Sequence, residues 1–318
     1  MDETPRQRGE PIGLAIGLAA AIIAATGEEP RLLVVRTPNG TDALPSGPLE
    51  ARHRTLEAGL RNWVERQTNQ ALGYVEQLYT FGDRDRRETD GAASERALSV
   101  AYLALVREAR PAGAADAAWQ SWYRYFPWED WRGRPPTAIA AIEPRLRHWA
   151  ARGGRLHEER LRVSFGLDGA RWNEERVLER YELLYEAGLV PERRRAQGEG
   201  AGLPGSVTGM PMAADHRRVL ATAIGRLRGK IKYRPVVFEL MPPTFTLSEL
   251  QRVVEALSGV HLHKQNFRRL VEQQGLVEEA GETRAETGGR PARLMRYRRE
   301  VLVERLAPGV RLPAMRRS

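Results

Sequence analysis

The chain of 318 residues contains no cysteine, and this absence excludes several kinds of chemistry. Disulfide bonds, thiolate nucleophiles and cysteine-ligated metals all require that side chain. The chain also lacks an uninterrupted apolar run of the roughly 20 residues that a helix needs to span a bilayer. We therefore expect a cytoplasmic protein with no membrane partner, and at this length we expect two domains.

The longest apolar run, residues 12–25 (IGLAIGLAAAIIAA), has two interpretations. It is preceded by Arg6 and Arg8 and resembles the core of a signal peptide, although the residues before it are acidic overall. The turn-forming segment 27–30 and the β-prone run 32–36 (LLVVR) follow it directly. Two β-prone runs joined by a turn are typical of a hairpin, so we predict a buried β-hairpin here.

The sequence that follows predicts a mixed body. Apolar spacing of three and four residues predicts a helix over 56–67, and the residue pattern predicts strands over 73–81 and 98–106. The order strand, strand, helix, strand, strand indicates an α+β fold. Further helices are expected over 139–151, where Pro144 should kink or restart the helix, and over 173–187.

Aromatic residues are concentrated between 119 and 131. The segment WQSWYRYFPWEDW holds four of the seven tryptophans of the chain. Such density occurs in stacking platforms for nucleic-acid bases, and also in packed edges or dimer surfaces. Basic and aromatic residues do not alternate here as they do in single-strand binders, so we favour packing or dimer contact.

Positive charge is concentrated in the last third of the chain. Residues 211–318 carry 21 Lys+Arg against 11 Asp+Glu, a net of +10, whereas the first 210 residues carry 29 against 30, a net of −1. The Gly- and Arg-rich segment 192–209 is the predicted linker between the two parts. A basic module joined to a neutral body predicts a polyanionic partner, because phosphate neutralisation supplies most nucleic-acid affinity.

The basic part has the pattern of a winged helix-turn-helix. Thr246, with Glu249 three residues later, predicts the capped start of a helix that ends at Gly259. The other predicted elements are a helix over 215–231, a strand over 236–240, a short helix over 263–274, and a hairpin of strands 276–279 and 294–298. In this fold the second short helix enters the major groove.

The residues predicted to contact double-stranded DNA lie on the two short helices and on the hairpin. They are Thr246, Ser248, Lys264, Gln265, Asn266, Arg268, Arg269, Arg290 and Arg293. Arginine and lysine can contact guanine edges, and asparagine and glutamine can contact adenine. A solvated basic surface and a winged helix that binds only proteins are the alternatives, but the coincidence of charge, helix spacing and hairpin favours DNA.

Residues 47–69 contain an altered motif of diphosphate hydrolysis, the signature of Nudix hydrolases. The motif is a glycine, a glutamate six positions later, and, after seven more residues, Arg-Glu-apolar-any-Glu-Glu-any-Gly-apolar. Gly47, Arg61, Trp63 and Glu65 stand at matching positions. The substituted positions are His53, Asn62 and Arg66 in place of glutamates, Thr68 in place of glycine, and Asn69 in place of the last apolar residue.

These substitutions remove most of the expected metal site. Mg²⁺ prefers several anionic oxygen ligands, and Arg66 places a cation where one of them should stand. Glu65 remains a residual metal candidate, with Glu57 on the same helix face and Glu50 nearby in the loop. Arg61 and Arg66 can hold a diphosphate without cleaving it. We expect no catalysis and no required cofactor, and Mg²⁺ would matter only for a residual hydrolase.

The altered box, the strand-rich body and the winged helix together resemble the Nudix-related transcriptional regulators of NAD metabolism, the NrtR type. The segments that carry the resemblance are 72–86 (LGYVEQLYTFGDRDR), 238–259 (FELMPPTFTLSELQRVVEALSG), 264–270 (KQNFRRL) and 289–297 (GRPARLMRY). Residues 122–132 (WYRYFPWEDWR) resemble a variant bacterial subgroup of this family. Nearly the whole chain is covered, and residues 133–210 are matched least specifically.

The resemblance implies an α+β fold: a Nudix-like mixed α/β sandwich over 1–209, with an aromatic insertion over about 111–200, and a winged helix-turn-helix over 210–318. It implies a homodimeric repressor of NAD-metabolism genes that senses ADP-ribose or a related nucleotide. By position, the expected nucleotide contacts are Arg61, Glu65, Arg66, Phe81 and Arg96. The alternatives are a Nudix hydrolase of a nucleoside diphosphate derivative with an accessory basic domain, and an adaptor that binds a protein through its aromatic segment.

Overall fold

The computed structural model describes residues 14–82, 96–107, 116–133, 135–198, 202–284 and 291–300. The strands are β1 (Leu14–Ala25), β2 (Pro30–Arg36), β3 (Asp42–Ala43), β4 (Ser46–Pro48), β5 (Tyr74–Phe81), β6 (Arg96–Leu105), β7 (Ala117–Ser121), β8 (Val277–Arg284) and β9 (Ala292–Tyr297). The helices are α1 (Leu56–Thr68), α2 (Thr137–Gly153), α3 (Arg155–Phe165), α4 (Val177–Glu186), α5 (Pro191–Ala196), α6 (Gly205–Thr208), α7 (His216–Tyr233), α8 (Leu247–Ser258) and α9 (Lys264–Gln273). Short 3-10 helices occupy Trp122–Arg124, Pro127–Glu129 and Val236–Glu239.

A mixed sheet forms the body. Its strand order is β3-β2-β1-β6-β5, and β4 also pairs with β1 and β7 with β2. β1 and β6 run parallel, whereas β1 and β2, like β5 and β6, are antiparallel. The predicted N-terminal hairpin is confirmed, as are the predicted helix at α1 and the predicted strands at β5 and β6.

β1 is apolar at nearly every position because both of its faces are buried. Leu18, Ala20 and Ile22 belong to the cluster beneath α1, whereas Ala21 and Ile23 belong to the main core on the other face. A central strand that is covered on both sides has a continuous apolar sequence instead of an alternating one. This burial explains why residues 12–25 look like a signal-peptide core.

The aromatic segment 119–131 contributes to the main core. Trp122, Tyr125, Phe126 and Trp128 have no exposed surface. Their rings pack with helices α2, α4 and α7 in one apolar cluster. The interpretation of these residues as packing residues is confirmed, and base stacking by the four buried rings is excluded because a base cannot reach them.

Two predictions of local structure are wrong. A strand was predicted over 236–240, but Val236–Glu239 form a 3-10 helix. Val236, Val237 and Phe238 pack into the core instead of pairing with another strand. Short apolar runs do not distinguish these two outcomes. α2 is a single helix that continues through Pro144, so the predicted restart does not occur, whereas the alternative, a kink at Pro144, stays a prediction. Helices α3, α5 and α6 were not predicted.

The segment 192–209 is only partly a linker. α6 and all but the first residue of α5 lie within it, and Glu192 and Thr208 are buried. The Glu192 carboxylate accepts a hydrogen bond from Arg217 Nη1 of α7 at 3.0 Å. A Gly- and Arg-rich composition suggests a flexible connection, but one buried glutamate fixes this part of it to the body.

Helix α7 contacts both parts of the molecule. It packs against α4, β1, β5 and β6 on one side and against α8 on another. The main core includes residues from both parts. The division at 209/210 therefore stays a prediction, and α7 is one of the elements that join the two units.

No helix in the described ranges combines the length and the apolar character that crossing a bilayer requires.

Candidate nucleic-acid interface and candidate nucleotide site

Helix α8 begins with the predicted capping box. Thr246 Oγ1 accepts a hydrogen bond from the Glu249 amide at 3.1 Å, and the Glu249 carboxylate accepts one from the Thr246 amide at 2.7 Å. Thr246 is buried, so its hydroxyl serves the start of the helix. Ser248 is half-buried, and its Oγ lies 3.4 Å from Arg268 Nη2 of α9.

Helix α9 is oriented by two buried apolar residues. Phe267 and Val271 are four positions apart and therefore lie on one face, which is buried against the rest of the winged helix. The exposed residues of the helix are Lys264, Gln265, Asn266, Arg269, Glu272 and Gln273. α9 thus presents cations and amides to solvent, which are the groups that bind phosphates and base edges.

The cations of α9 are not neutralised by nearby carboxylates. Within the described part of the chain, Lys264, Arg268 and Arg269 form no ion pair. Arg268 and Arg269 instead contact the neutral side-chain oxygens of Ser248 and Asn266, at 3.4 and 3.5 Å. These three positive charges are therefore available to an approaching phosphate.

The wing, which consists of strands β8 and β9, also carries arginines, but three of these arginines each form an ion pair with a glutamate. The pairs are Arg284 with Glu249, Arg293 with Glu279, and Arg296 with Glu278. These carboxylates were not predicted. The glutamates of β8 and the arginines of β9 contain a signal for the two pairs within the hairpin, whereas Glu249 lies on α8. DNA would have to displace a glutamate to reach Arg293. Arg290 lies outside the described residues.

The charge count suggested that the basic residues of α7 add to the surface available to DNA. Instead, carboxylates of the protein pair with them. Its ion pairs are Arg217 with Glu192, Arg218 with Glu182, Arg226 and Lys230 with Glu76, Arg228 with Glu129, and Lys232 with Glu174 and Glu175. Arg217, Arg218 and Arg228 are buried. The exposed basic surface of the described winged helix is therefore centred on α9.

The altered Nudix box folds as a loop followed by α1. Thr55 caps the helix by accepting a hydrogen bond from the Ala58 amide at 3.1 Å. Asn69 ends the helix in the left-handed conformation, with φ of 51°. Gly47 is required by close packing, since a Cβ there would lie 2.2 Å from the Trp63 ring. The matched glycine of the box thus keeps a structural reason to be glycine.

Arg61, the matched arginine of the box, connects α1 to the segment that leads into β5. Its Nε donates to Glu57 Oε1 at 2.9 Å. Its Nη1 and Nη2 donate to the carbonyl oxygens of residues 72 and 73. A diphosphate that binds Arg61 would compete with these bonds.

Glu65 and Arg66 are exposed neighbours near the end of α1. The Arg66 guanidinium lies 4.6 Å from the centre of the Trp63 ring, a cation–π contact. Phe81 is half-buried at the end of β5, and the backbone of Arg96 begins β6, whereas the side chain of Arg96 lies outside the described residues. Glu65 and Arg66 are thus the two predicted nucleotide contacts that face solvent together.

Among the residues that the structure describes, no group of three or more His, Asp or Glu side chains is placed to hold a metal ion. The chemistry of the box agrees, because Arg66 stands at a position where Mg²⁺ would need a carboxylate.

The body of the protein is a mixed α/β fold with a Nudix-type loop and helix. A winged helix follows it, and the second short helix of that unit is basic and exposed. This combination defines a Nudix-like protein with a winged helix domain of the kind that binds DNA. Residues 237–297 match the family of the NrtR DNA-binding winged helix domain. The chain has the architecture of the NrtR type: a Nudix-like domain followed by an NrtR winged helix domain.

One curated relative is the ADPR responsive transcriptional repressor NtrR of Acinetobacter baylyi. The two chains are 41% identical over 88 residues, which cover 28% of this chain and 35% of the relative. The match therefore spans about a third of the relative's length.

Two solved structures share the fold over nearly the whole chain. NrtR of Shewanella oneidensis, crystallised with a 27mer DNA, has a TM-score of 0.55 at 22% identity and covers 93% of this chain and 98% of its own. A MutT/nudix family protein from Enterococcus faecalis has a TM-score of 0.54 at 16% identity and covers 93% and 90%. The predicted fold class, a Nudix-like body followed by a winged helix, is confirmed.

Proposed function

We propose that this chain is a transcriptional repressor that binds double-stranded DNA through α9, and that its Nudix-like domain senses ADP-ribose or a related nucleotide. The observation that carries the proposal is the solvent-facing side of α9. There the exposed Lys264 and Arg269 and the half-buried Arg268, which have no carboxylate partner among the described residues, lie beside two amides. This face belongs to a domain that matches the NrtR DNA-binding winged helix family.

DNA recognition is assigned to side chains by their chemistry. Lys264, Arg268 and Arg269 supply charge for phosphates or guanine edges, and Gln265 and Asn266 supply paired donors and acceptors for adenine. Arg290 and Arg293 of the hairpin are proposed as phosphate contacts. Ser248, half-buried in the first turn of α8, is proposed as a further contact, whereas the buried Thr246 contributes indirectly by capping the helix.

Nucleotide sensing is assigned to the altered box and the adjoining strands. Arg61, Glu65, Arg66, Phe81 and Arg96 are the proposed contacts, and no metal is required for binding. Two things support this proposal: Arg66 replaces a carboxylate of the hydrolase signature, and the Acinetobacter baylyi relative is named as ADPR responsive. A site that binds without hydrolysis suits a sensor, because a hydrolase would destroy its own signal.

We further propose that the protein is a non-enzymatic cytoplasmic regulator that acts as a homodimer on genes of NAD metabolism. A two-fold dimer of winged helices would require a palindromic operator, with half-sites spaced to match the two reading helices. The nucleotide can control DNA binding only if it binds the free and DNA-bound states with different affinities.

The test is a mobility-shift titration on DNA upstream of its own gene and of neighbouring NAD-metabolism genes, with and without ADP-ribose. We expect a specific shift that ADP-ribose changes. Absence of any specific shift at low salt would contradict the proposal that the protein is a DNA-binding regulator. A specific shift that ADP-ribose does not change would contradict only the proposal that ADP-ribose is the ligand. Mg²⁺-dependent phosphate release that is lost in Glu65→Gln would favour the hydrolase alternative.

A further inference from the structure

The last turn of α8 is capped by the body of the protein. The final carbonyl groups of an α-helix have no partner within the helix. Here the C-terminal end of α8 receives three hydrogen bonds from residues outside the matched winged helix domain, 237–297. They are Tyr123 Oη to the Ala256 carbonyl at 2.7 Å, Arg228 Nε to the Leu257 carbonyl at 2.9 Å, and the Trp131 amide to the Gly259 carbonyl at 2.7 Å. The DNA-binding unit is thus held by the aromatic segment and by α7.

Glu129 holds the arginine among these donors. Its carboxylate accepts hydrogen bonds from Arg228 Nη1 at 2.6 Å and from Arg180 Nε and Nη2 at 2.5 and 2.8 Å. All three side chains are buried. Burial acts to raise the pKa of Glu129, but the two guanidiniums outweigh it and hold the pKa below its ordinary value. The carboxylate therefore stays charged and keeps both arginines in place.

The contact leaves no room for a side chain at position 259. Gly259 ends α8 with φ of 74°, a left-handed conformation that favours glycine. A Cβ at this position would lie 2.4 Å from the Glu129 carbonyl oxygen. The backbone of α8 and that of the aromatic segment are therefore in direct contact, and the ion triad fixes how they meet.

The same segment is continuous with the sheet. β7 pairs with β2 from Arg31↔Ser121 to Val35↔Ala117, and the two 3-10 helices that carry Tyr123 and Glu129 follow β7 directly. Within the winged helix, α9 packs against α8, and both helices contribute residues to the main core. A change in the sheet can thus reach the reading helix through residues 121–131.

We propose that Glu129 and Tyr123 are positioning residues for DNA binding: they set the orientation of the winged helix on the body, and ligand occupancy of the body is transmitted to α9 through this contact. We call the contact of Tyr123, Glu129, Arg180 and Arg228 with the end of α8 the Glu129 junction. The transmission of a ligand signal rests on the proposed function, whereas the positioning of the winged helix does not.

The positioning is tested on the full chain without DNA or nucleotide. Because the chain has no cysteine, spin labels can be attached to two introduced cysteines alone. Leu156→Cys lies on α3 with 72% of its surface exposed, and Gln273→Cys is exposed on α9. Pulsed electron resonance should give a narrow distance distribution in the parent. In Glu129→Gln the mean distance should shift, or the distribution should become about twofold wider. An amide cannot neutralise the two buried arginines, so the contact that orients the winged helix should be weakened.

Matched variants separate this effect from a general loss of charge or of folding. Glu186→Gln removes a carboxylate from an exposed ion pair with Arg160, and it should leave the distribution unchanged. If Glu129→Gln does not fold, Tyr123→Phe removes only the hydroxyl that binds the Ala256 carbonyl, and it should broaden the distribution to a smaller extent. Parent-like distributions in every folded variant would overturn the positioning role.

The transmission is tested by the ratio of operator Kd values measured with and without ADP-ribose. Glu129→Gln should lower this ratio about tenfold toward unity while the Kd for ADP-ribose stays within about twofold of the parent. A parent-like ratio in a folded Glu129→Gln protein would overturn the transmission. If the parent itself binds neither operator nor ADP-ribose, the proposed function fails, and the distance measurement still decides the positioning role.

Discussion

Helices α7 and α9 are both rich in basic residues, but they use them in opposite ways. Every cation of α7 from Arg217 to Lys232 has a carboxylate partner in the body, and three of these cations are buried. On α9, Lys264 and Arg269 are exposed and Arg268 is half-buried, and none of the three forms an ion pair among the described residues. Net charge counted along the sequence treats the two helices as equivalent.

The difference teaches that a charge count overestimates the surface available to a polyanion. A buried guanidinium is tolerated only where its donors are satisfied, so its presence indicates a structural partner. An exposed and unpaired cation contributes little to folding and is free to bind phosphate. The two helices therefore predict opposite results when their basic residues are removed.

The largest effect is expected on stability, at Arg217 of α7. Its guanidinium has no exposed surface, pairs with Glu192, and donates to the Tyr125 carbonyl at 2.6 Å. Arg217→Ala should lower the free energy of unfolding by about 3–5 kcal/mol, because Glu192 would stay buried without its partner. Arg226→Ala is the control: that side chain is 48% exposed and lies 3.5 Å from Glu76, so its loss should cost about 0.5 kcal/mol or less. Urea unfolding measures both free energies. Equal losses of stability in Arg217→Ala and Arg226→Ala would contradict the distinction between buried and exposed cations of α7.

A pH dependence is expected at His216, the first residue of α7. Burial lowers the pKa of His216 to about 4, and its neutral Nδ1 accepts a hydrogen bond from the Leu44 amide at 3.0 Å. The unfolded state binds this proton near pH 6.5, so the stabilisation is complete above that pH and is lost as pH falls toward 4. Between pH 7 and pH 5 the loss should be about 2 kcal/mol.

The measurement is urea unfolding of the parent and of His216→Asn at both pH values. The Oδ1 atom of asparagine lies where Nδ1 accepts the hydrogen bond, but the amide does not titrate. The variant should therefore lose about 2 kcal/mol less stability than the parent between pH 7 and pH 5. Equal pH dependence in the two proteins would mean that the folded protein does not hold the half-buried His216 in its neutral form.

The winged helix was the part of the fold most accessible from sequence. Its signals are local: the Thr246–Glu249 capping box, the glycine after α8, and the apolar spacing that buries Phe267 and Val271. Each of these acts within one or two turns of a helix, so neighbouring residues suffice to predict it. The central strand β1 was equally accessible, because burial on both faces leaves a continuous apolar run.

The partners of the arginines were not accessible in the same way. Glu129 lies 99 residues from Arg228, and Glu192 lies 25 residues from Arg217. No spacing rule connects side chains that meet only after the chain has folded. The same reason applies to the predicted nucleotide site: the box was found by its spacing, but the engagement of Arg61 with the carbonyl groups before β5 is a tertiary contact.

On α9 the expected effect is on DNA binding and not on folding. Lys264→Ala or Arg268→Ala should weaken operator binding by about tenfold and reduce the salt dependence of log K by about one charge where the side chain meets phosphate. Stability should change by less than about 0.5 kcal/mol for the exposed Lys264. Operator titrations at several salt concentrations check this, with Arg226→Ala of α7 as the control. If both α9 variants bound like the parent, helix α9 would not be the reader.

The wing tests an intermediate case, in which an exposed cation already has a partner. Arg293 and Glu279 form an ion pair with 71% and 59% of their side chains exposed. Arg293→Ala should weaken operator binding by only about twofold, because the arginine must first leave its glutamate. Glu279→Ala should do the reverse and strengthen binding by a similar factor, since it removes a negative charge and frees the cation. Weaker binding in Glu279→Ala would show that the glutamate positions Arg293 for DNA instead of competing with it.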